Sequence, residues 1–317
     1  MTGPGPARPV VTRGGIARGL RTLGVGPGSV VLVHTSLRSF GYVAGGAQTV
    51  HLALRDALGP DGTLVVPAFT PQLCHPSTWL RRDLAPHSGV AAEMPVYDPL
   101  RTPVARTVGA VPDLVRSLPG ALRSSHPHVS FAAEGPLAAT VVGSHPDAWR
   151  FSAQGPLGRL WDLDATVLML GTGWDRCTAL HLAEYQVAYP GRRAGRWALP
   201  RAGADGATDW YDVPELLVWE GDFPAVGAAY EEAGGPVRAV RVGDAVCRAV
   251  PVRPLVRFAA RRMLAHRDLR RGVAPPGWRD VVDADGPLPV LLADRADEER
   301  VYEERVYEET PTTRSTT

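Results

Sequence analysis

Apolar residues in this chain gather in strand-length blocks and helix-like repeats, separated by turns rich in glycine and proline. A flexible leader covers residues 1–11. The pattern then predicts a helix over 13–23, a turn across Gly24, Gly26, Pro27 and Gly28, and a strand over 29–33. A helix over 49–58 stops at Gly59 and Pro60, and the turn at Asp61 and Gly62 leads into a strand over 63–67. Further on come a helix over 108–116, a polar loop over 123–127, and the apolar block 166–170, which stops at Gly171 as a strand should. Thr178 is placed to cap a helix carrying Ala179, Leu180, Leu182, Ala183 and Glu184, all good helix formers. A helix over 223–233, a strand over 237–242 and a helix over 255–264 complete the series. The strand, helix, strand order implies an α/β fold in which helices cover a sheet.

Two stretches break the pattern. Residues 70–103 are rich in Pro, His and Arg with little periodicity; irregular segments of that length inside a compact domain usually form binding loops or lids, so acceptor recognition is expected there. Residues 286–317 form a low-complexity tail in which the block 298–302 repeats at once as 303–307. A period of five fits neither helix nor strand, so a disordered, solvated tail is expected, with a partner-binding helix as the alternative.

Composition narrows the class. With 317 residues, 44% hydrophobic and 21% charged, the chain can bury a full core as one large α/β domain or two small ones. A net charge of +1 argues against a general nucleic-acid binder. Cys74, Cys177 and Cys247 are too few and too scattered for a disulfide framework or a zinc cluster, which suits a reducing cytoplasm. No stretch approaches the roughly 20 apolar residues of a membrane span, and no signal-peptide pattern opens the chain.

The densest candidate chemistry follows the 166–170 strand. His181 and Glu184 are three apart, so on a helix they share a face, and the carboxylate can set the imidazole tautomer and stabilise the imidazolium formed on proton uptake. The N–H groups of Ala179 and Leu180 at the helix start would suit a developing oxyanion. The same residues also read as a surface helix with one satisfied histidine and a solvated glutamate. Cys177, four residues before His181, offers a thiol nucleophile as an alternative. The strand ending at Val33 delivers His34, Thr35, Ser36, Leu37, Arg38 and Ser39 into a loop able to hold a pyrophosphate or amide-rich ligand; an ordinary polar strand exit is the other reading. Arg123, Ser124, Ser125 and His126 form a second such segment, although a His before Pro also serves turns. Gly171, Thr172 and Gly173 lack the third glycine of a dinucleotide fingerprint and read as a tight turn. Cys74, His75 and His87 match no common zinc spacing, so no metal is expected.

Several of these segments, in order, resemble the aminoglycoside 3-N-acetyltransferase family. The likeness runs through 33–41, Gly45, Gly46 and Ala47, 58–64, 125–131, 135–138, 152–160, 178–184 and 220–223, and spans about residues 12 to 265. It implies a single catalytic domain over 12–285 with a mixed β-sheet flanked by helices, distinct from the GCN5-related acetyltransferases. It also implies acetyl transfer from acetyl-coenzyme A to a small-molecule amine, foremost the 3-amino group of the 2-deoxystreptamine ring of an aminoglycoside. His181 would be the general base, with Glu184 and Thr178 beside it, and the segments 34–39 and 123–126 would hold the cofactor. For a polycationic acceptor, Asp175, Glu220 and Asp98 are the candidate carboxylates. In the 70–103 loop Asp83, Glu93 and Asp98 are balanced by Arg81, Arg82 and Arg101, which leaves another amino sugar or natural-product amine as the competing acceptor. A Cys177- or Ser125-dependent hydrolase and a catalytically silent binder are the remaining alternatives. Oligomeric state is not legible; a homodimer is the commonest arrangement of soluble oligomers.

Overall fold

A computed structural model describes residues 8–79, 89–286 and 288. Among these the elements run β1 (Val10–Val11), α1 (Arg13–Thr22), β2 (Val30–Thr35), β3 (Tyr42–Val43), α2 (Gly46–Leu58), β4 (Thr63–Pro67), α3 (Ala110–Arg116), β5 (Leu122–Arg123), β6 (Phe131–Glu134) and α4 (Ala138–Val142). They continue α5 (Pro156–Asp162), β7 (Thr166–Leu170), α6 (Leu180–Gln186), β8 (Arg193–Ala202), β9 (Thr208–Leu216), α7 (Phe223–Glu232), β10 (Arg238–Val242), β11 (Ala245–Pro251), α8 (Val252–His266) and β12 (Arg279–Asp283).

Seven strands form a mixed sheet in the order β10-β11-β7-β2-β4-β6-β5. Its centre is parallel, β2 pairing with both β7 and β4, while the flanking pairs are antiparallel. The central strands are the unbroken apolar runs of the sequence because both of their faces are covered. Successive side chains point to opposite faces. Leu32, Val65, Val167 and Met169 accordingly join one core with residues of α4 to α8. Val31, Val33, Leu64, Val66, Leu168 and Leu170 join another, against α1, α2 and α3. A separate three-stranded antiparallel sheet, β12-β8-β9, is built on a long hairpin that the apolar pattern did not predict. No helix among the described residues is long and apolar enough to cross a membrane.

Three expectations shift. The leader ends earlier than residue 11: Val10 and Val11 pair in parallel with Tyr42 and Val43, and Val11 is buried, because a short ribbon covers the edge of the second core. The strand expected over 29–33 continues to Thr35, held by the registers His34 to Met169 and Thr35 to Leu170, so His34 and Thr35 are in the sheet instead of the loop. Thr178 does not cap α6. The Cys177 and Thr178 carbonyls accept from Leu180 and His181 in a tighter turn, and the helix starts at Leu180 with Ala179 as its cap residue. In the irregular segment over 70–103, residues 80–88, and with them Arg81, Arg82, Asp83 and His87, lie outside the described residues; the rest holds only short 3-10 turns. The tail repeat also lies outside them.

Candidate active site

A cavity of about 1030 Å³ opens where β2, β4 and β7 end. In open α/β sheets this carboxyl edge is where ligands bind, since loops diverge there above fixed strand ends. The β2 exit contributes His34, Thr35, Ser36, Leu37 and Arg38; the β7 exit contributes Thr172, Asp175, Arg176, Cys177, Thr178 and His181. Gly171 makes the two exits adjacent. Its φ is +74°, and a Cβ there would stand 2.8 Å from the Cβ of Ser39, so only glycine lets the loops pass at this distance.

His181 is held on three sides. Its Nδ1–H donates to Glu184 Oε2 at 2.6 Å, its ring stacks on Phe151 with 4.4 Å between centroids, and Phe223 meets it edge-on at 4.9 Å. With Nδ1 committed, Nε2 is the nitrogen left for a reacting proton. Glu184 is fully buried and fixed in turn: its Oε1 accepts from the Trp219 N–H at 2.7 Å and from Arg267 Nη1 at 2.6 Å. Arg267 also grips Asp222 through Nε at 2.9 Å and Nη2 at 2.5 Å. Burial by itself would lower the Arg267 pKa, but the Asp222 hydrogen bonds and the charge of Glu184 outweigh it and raise the value. Two carboxylates around one guanidinium leave one negative charge, which an imidazolium at His181 would neutralise.

His34 lies against the same turn. Burial first, then the charges of His181 and Arg176, push its pKa down to about 3, so it is neutral, and its Nε2 accepts from the Thr178 N–H at 3.4 Å. Cys177 is unsuited to nucleophilic attack. Burial pushes its thiol up to about 12, despite the backbone N–H groups of Leu180 and Ala179 that point at the sulfur. Those N–H groups are therefore not free for an oxyanion, and that of Leu180 also donates to the Cys177 carbonyl at 3.0 Å.

The other candidates divide. Asp175 and Glu220 line the cavity, but Asp175 is paired with its neighbour Arg176 at 3.1 Å. Asp98 does not line it; its Oδ1 accepts from the Leu100 and Arg101 N–H groups and closes a turn. Ser39 also stays out, donating to the Ser36 hydroxyl at 2.8 Å. The segment 123–126 is turned into the protein. Arg123 donates to the Ala68 and Thr102 carbonyls, Ser124 bonds the Phe131 N–H and His145, Ser125 donates to the His145 carbonyl, and His126 accepts from the His128 and Val129 N–H groups. Cys74 is on the wall with its thiol pushed up to about 11 by burial, and His75 is bonded to Ser77.

Comparison with known proteins bears on this arrangement. A family model described as aminoglycoside 3-N-acetyltransferase matches residues 32–264, which contain both strand exits, His181 and Glu184. The chain belongs to the aminoglycoside 3-N-acetyltransferase family. Its members are acyltransferases. The chain is 35% identical over 254 residues to the prophage-derived aminoglycoside N(3')-acetyltransferase-like protein YokD of Bacillus subtilis, covering 78% of this chain and 90% of that one. It is 43% identical over 188 residues to aminoglycoside N(3)-acetyltransferase VIII of Streptomyces fradiae, covering 58% and 64%. The solved structure of AAC-IIIb in binary complex with CoASH is similar with a TM-score of 0.70 at 28% identity, covering 80% of this chain and 96% of that one.

Within this family fold, several wall residues were given no role from the sequence, although His128 and Phe223 lie in the motifs that carried the likeness. Arg106 and Gly109 precede α3, and His128, Arg150, Phe151, Trp197, Val218 and Phe223 come from widely separated segments. Trp197 lies in β8 opposite Val213, and nothing local in the sequence marks it as a wall residue.

Proposed function

We propose that this protein moves an acetyl group from acetyl-coenzyme A to a small-molecule amine by direct transfer, foremost to the 3-amino group of the 2-deoxystreptamine ring of an aminoglycoside. The observation that carries the reading is the chain His181, Glu184, Arg267 and Asp222, which presents His181 on the wall of a cavity of about 1030 Å³. The wall also fits an amide- and phosphate-bearing donor. The Thr35 and Thr172 hydroxyls are buried there without a partner, and Arg38 and Arg106 also line the cavity. When bound, acetyl-coenzyme A supplies a thioester already activated toward attack.

The protein's own part is proton handling and placement. His181 Nε2 takes a proton from the amine as the C–N bond forms and the C–S bond breaks, and that proton leaves with the thiol. Glu184 keeps Nδ1 protonated and offsets the positive charge that appears on the ring. Arg267 and the Trp219 N–H hold Glu184 in place against the ring. Glu220, and Asp175 in its ion pair with Arg176, are the carboxylates on the wall offered to acceptor ammonium groups.

The test is release of free thiol from acetyl-coenzyme A with and without a panel of aminoglycosides, followed by NMR location of the acetyl group. Thiol release that depends on acceptor, with acetyl on the 3-amino nitrogen, is expected. Release without acceptor that disappears in Cys177→Ala would replace this reading with a hydrolase.

A further inference from the structure

Phe151 covers one face of the reacting imidazole: its ring lies 4° from parallel to that of His181, with 4.4 Å between centroids. The backbone that delivers this ring is bent against its preference. Trp149 has φ +57°, a left-handed conformation that a bulky side chain rarely adopts and that persists only where the surroundings hold it. Several bonds do so here. The Trp149 N–H donates to the Pro214 carbonyl at 3.4 Å, and the Ser152 N–H to the Trp149 carbonyl at 2.9 Å. The Arg150 N–H donates to Glu215 Oε2 at 2.8 Å, and the Arg150 carbonyl accepts from His145 Nε2 at 2.8 Å.

Glu215 is the member of this set that reaches back to the helix of the base. It is buried in β9 and does not line the cavity, so it has no part in the transfer itself. Its Oε1 accepts from the Tyr185 hydroxyl at 2.5 Å and from the Leu216 N–H at 2.7 Å. Tyr185 follows Glu184 on α6, and its hydroxyl also lies against the Phe151 backbone. The Arg150 guanidinium, set among the rings of Phe151, Trp197 and Trp278, opposes the upward push that burial gives the Glu215 pKa. Burying a carboxylate costs stability that a well-packed apolar residue of similar volume would not, so packing alone does not account for Glu215. Its geometry does: one carboxylate joins α6, which carries His181 and Glu184, to the bend that carries Phe151.

We propose that Glu215 is a positioning residue: by fastening the 149–151 bend to α6 it sets the Phe151 ring against His181, and with it the direction in which Nε2 meets the amine. The proposal rests on acetyl transfer at His181 and adds a residue that acts on that base only through Phe151. Glu215→Gln is the informative change. All three partners of the carboxylate are donors, so an amide whose oxygen keeps Tyr185 and Leu216 turns its NH₂ toward the Arg150 N–H, and the bond to the bend is lost.

Two readouts are taken on the full chain. The first needs no turnover: the ring current of Phe151 moves the His181 imidazole C–H resonances upfield in proton NMR, and their loss in His181→Ala identifies them. In Glu215→Gln these resonances should shift toward their positions in Phe151→Leu, which keeps the apolar bulk without the ring. Tyr185→Phe should move them in the same direction by less. The second is steady-state thiol release with an aminoglycoside acceptor. Glu215→Gln should lower kcat by about 10- to 100-fold, the scale of a misplaced reacting group, with KM for acetyl-coenzyme A changed less than about twofold. Adding Glu215→Gln to Phe151→Leu should then cost little more than Phe151→Leu alone, because both act through one contact. Unmoved His181 resonances in a folded Glu215→Gln, or losses in kcat that multiply independently in the double variant, overturn the proposal. If Glu215→Gln does not unfold cooperatively in denaturant, Tyr185→Phe carries the same test, and unmoved resonances there overturn it equally. Resonances that move as expected in a protein that releases no thiol with any amine would sink the acetyl-transfer reading and leave the placement of His181 by Glu215 standing.

Discussion

The side chain of His181 has almost no freedom left: one hydrogen bond and two aromatic rings set its plane, and Glu184 sets its tautomer. Removing it should lower turnover by about 10² to 10⁴ while coenzyme affinity changes little, the range for a lost general base. Unchanged turnover in His181→Ala, measured by steady-state thiol release, would end the assignment. Glu184→Gln should cost less than His181→Ala, because an amide oxygen still accepts from Nδ1–H while the compensating charge is gone; the two turnover numbers decide it. Arg267 belongs to the same scale. Replacing it by Met leaves the buried Glu184 and the half-buried Asp222 without their cation, which should destabilise the fold by about 3–5 kcal/mol in denaturant titration. The His181 and Glu184 pair was legible because three residues along a helix is a local distance. Arg267 is 83 residues from Glu184, and nothing in its surroundings in the chain points to a partner that far away.

At the scale of elements, the exits of β2 and β7 make the site, and Gly171 lets them approach. Gly171→Ala forces a side chain into a left-handed conformation against Ser39 and should cost roughly 1–3 kcal/mol. A melting temperature equal to the parent's would show that the loops can separate without penalty. The same scale explains which elements could be read. β2, β4 and β7 are continuous apolar runs because helices cover both faces, and α1 and α2 carry one apolar stripe each. Buried and exposed positions alternate only in part along the β8 and β9 hairpin, so its period is blurred. The 123–126 segment misled for a related reason. Its polar residues suit a ligand, but the chain turns them toward carbonyls and imidazoles of its own interior.

Across the molecule, four histidines among the described residues are enclosed as neutral groups. Burial is the largest cause in each: His34 and His128 are pushed down to about 3, His145 to about 4, and His126 well below its ordinary value, with neighbouring histidines or Arg150 adding to the shift for all but His145. Because these folded values lie below the unfolded value near 6.5, the unfolded chain binds more protons as pH falls, so stability decreases with acidification. The loss should begin near pH 6.5 and continue toward pH 4, at up to about 1.4 kcal/mol per pH unit for each histidine. Chemical denaturation at a series of pH values checks this, and a flat profile between pH 6.5 and 4.5 would contradict it. Sequence alone suggested contact with cofactor or catalysis for His126; enclosure by Asp147, His128 and His145 makes it part of this acid-sensitive interior.

Local order in the chain was enough for the α/β class, the succession of central strands and helices, the His181 and Glu184 pair and the family likeness, since each depends on residues a few positions apart or on motifs in series. The tertiary structure decided the rest. Sheet register carried β2 on to Thr35, packing turned one polar segment inward and brought Arg150 to the cavity, and a distant arginine fixed the Glu184 carboxylate. Those outcomes depend on contacts between residues tens of positions apart, and such contacts leave no period in the sequence.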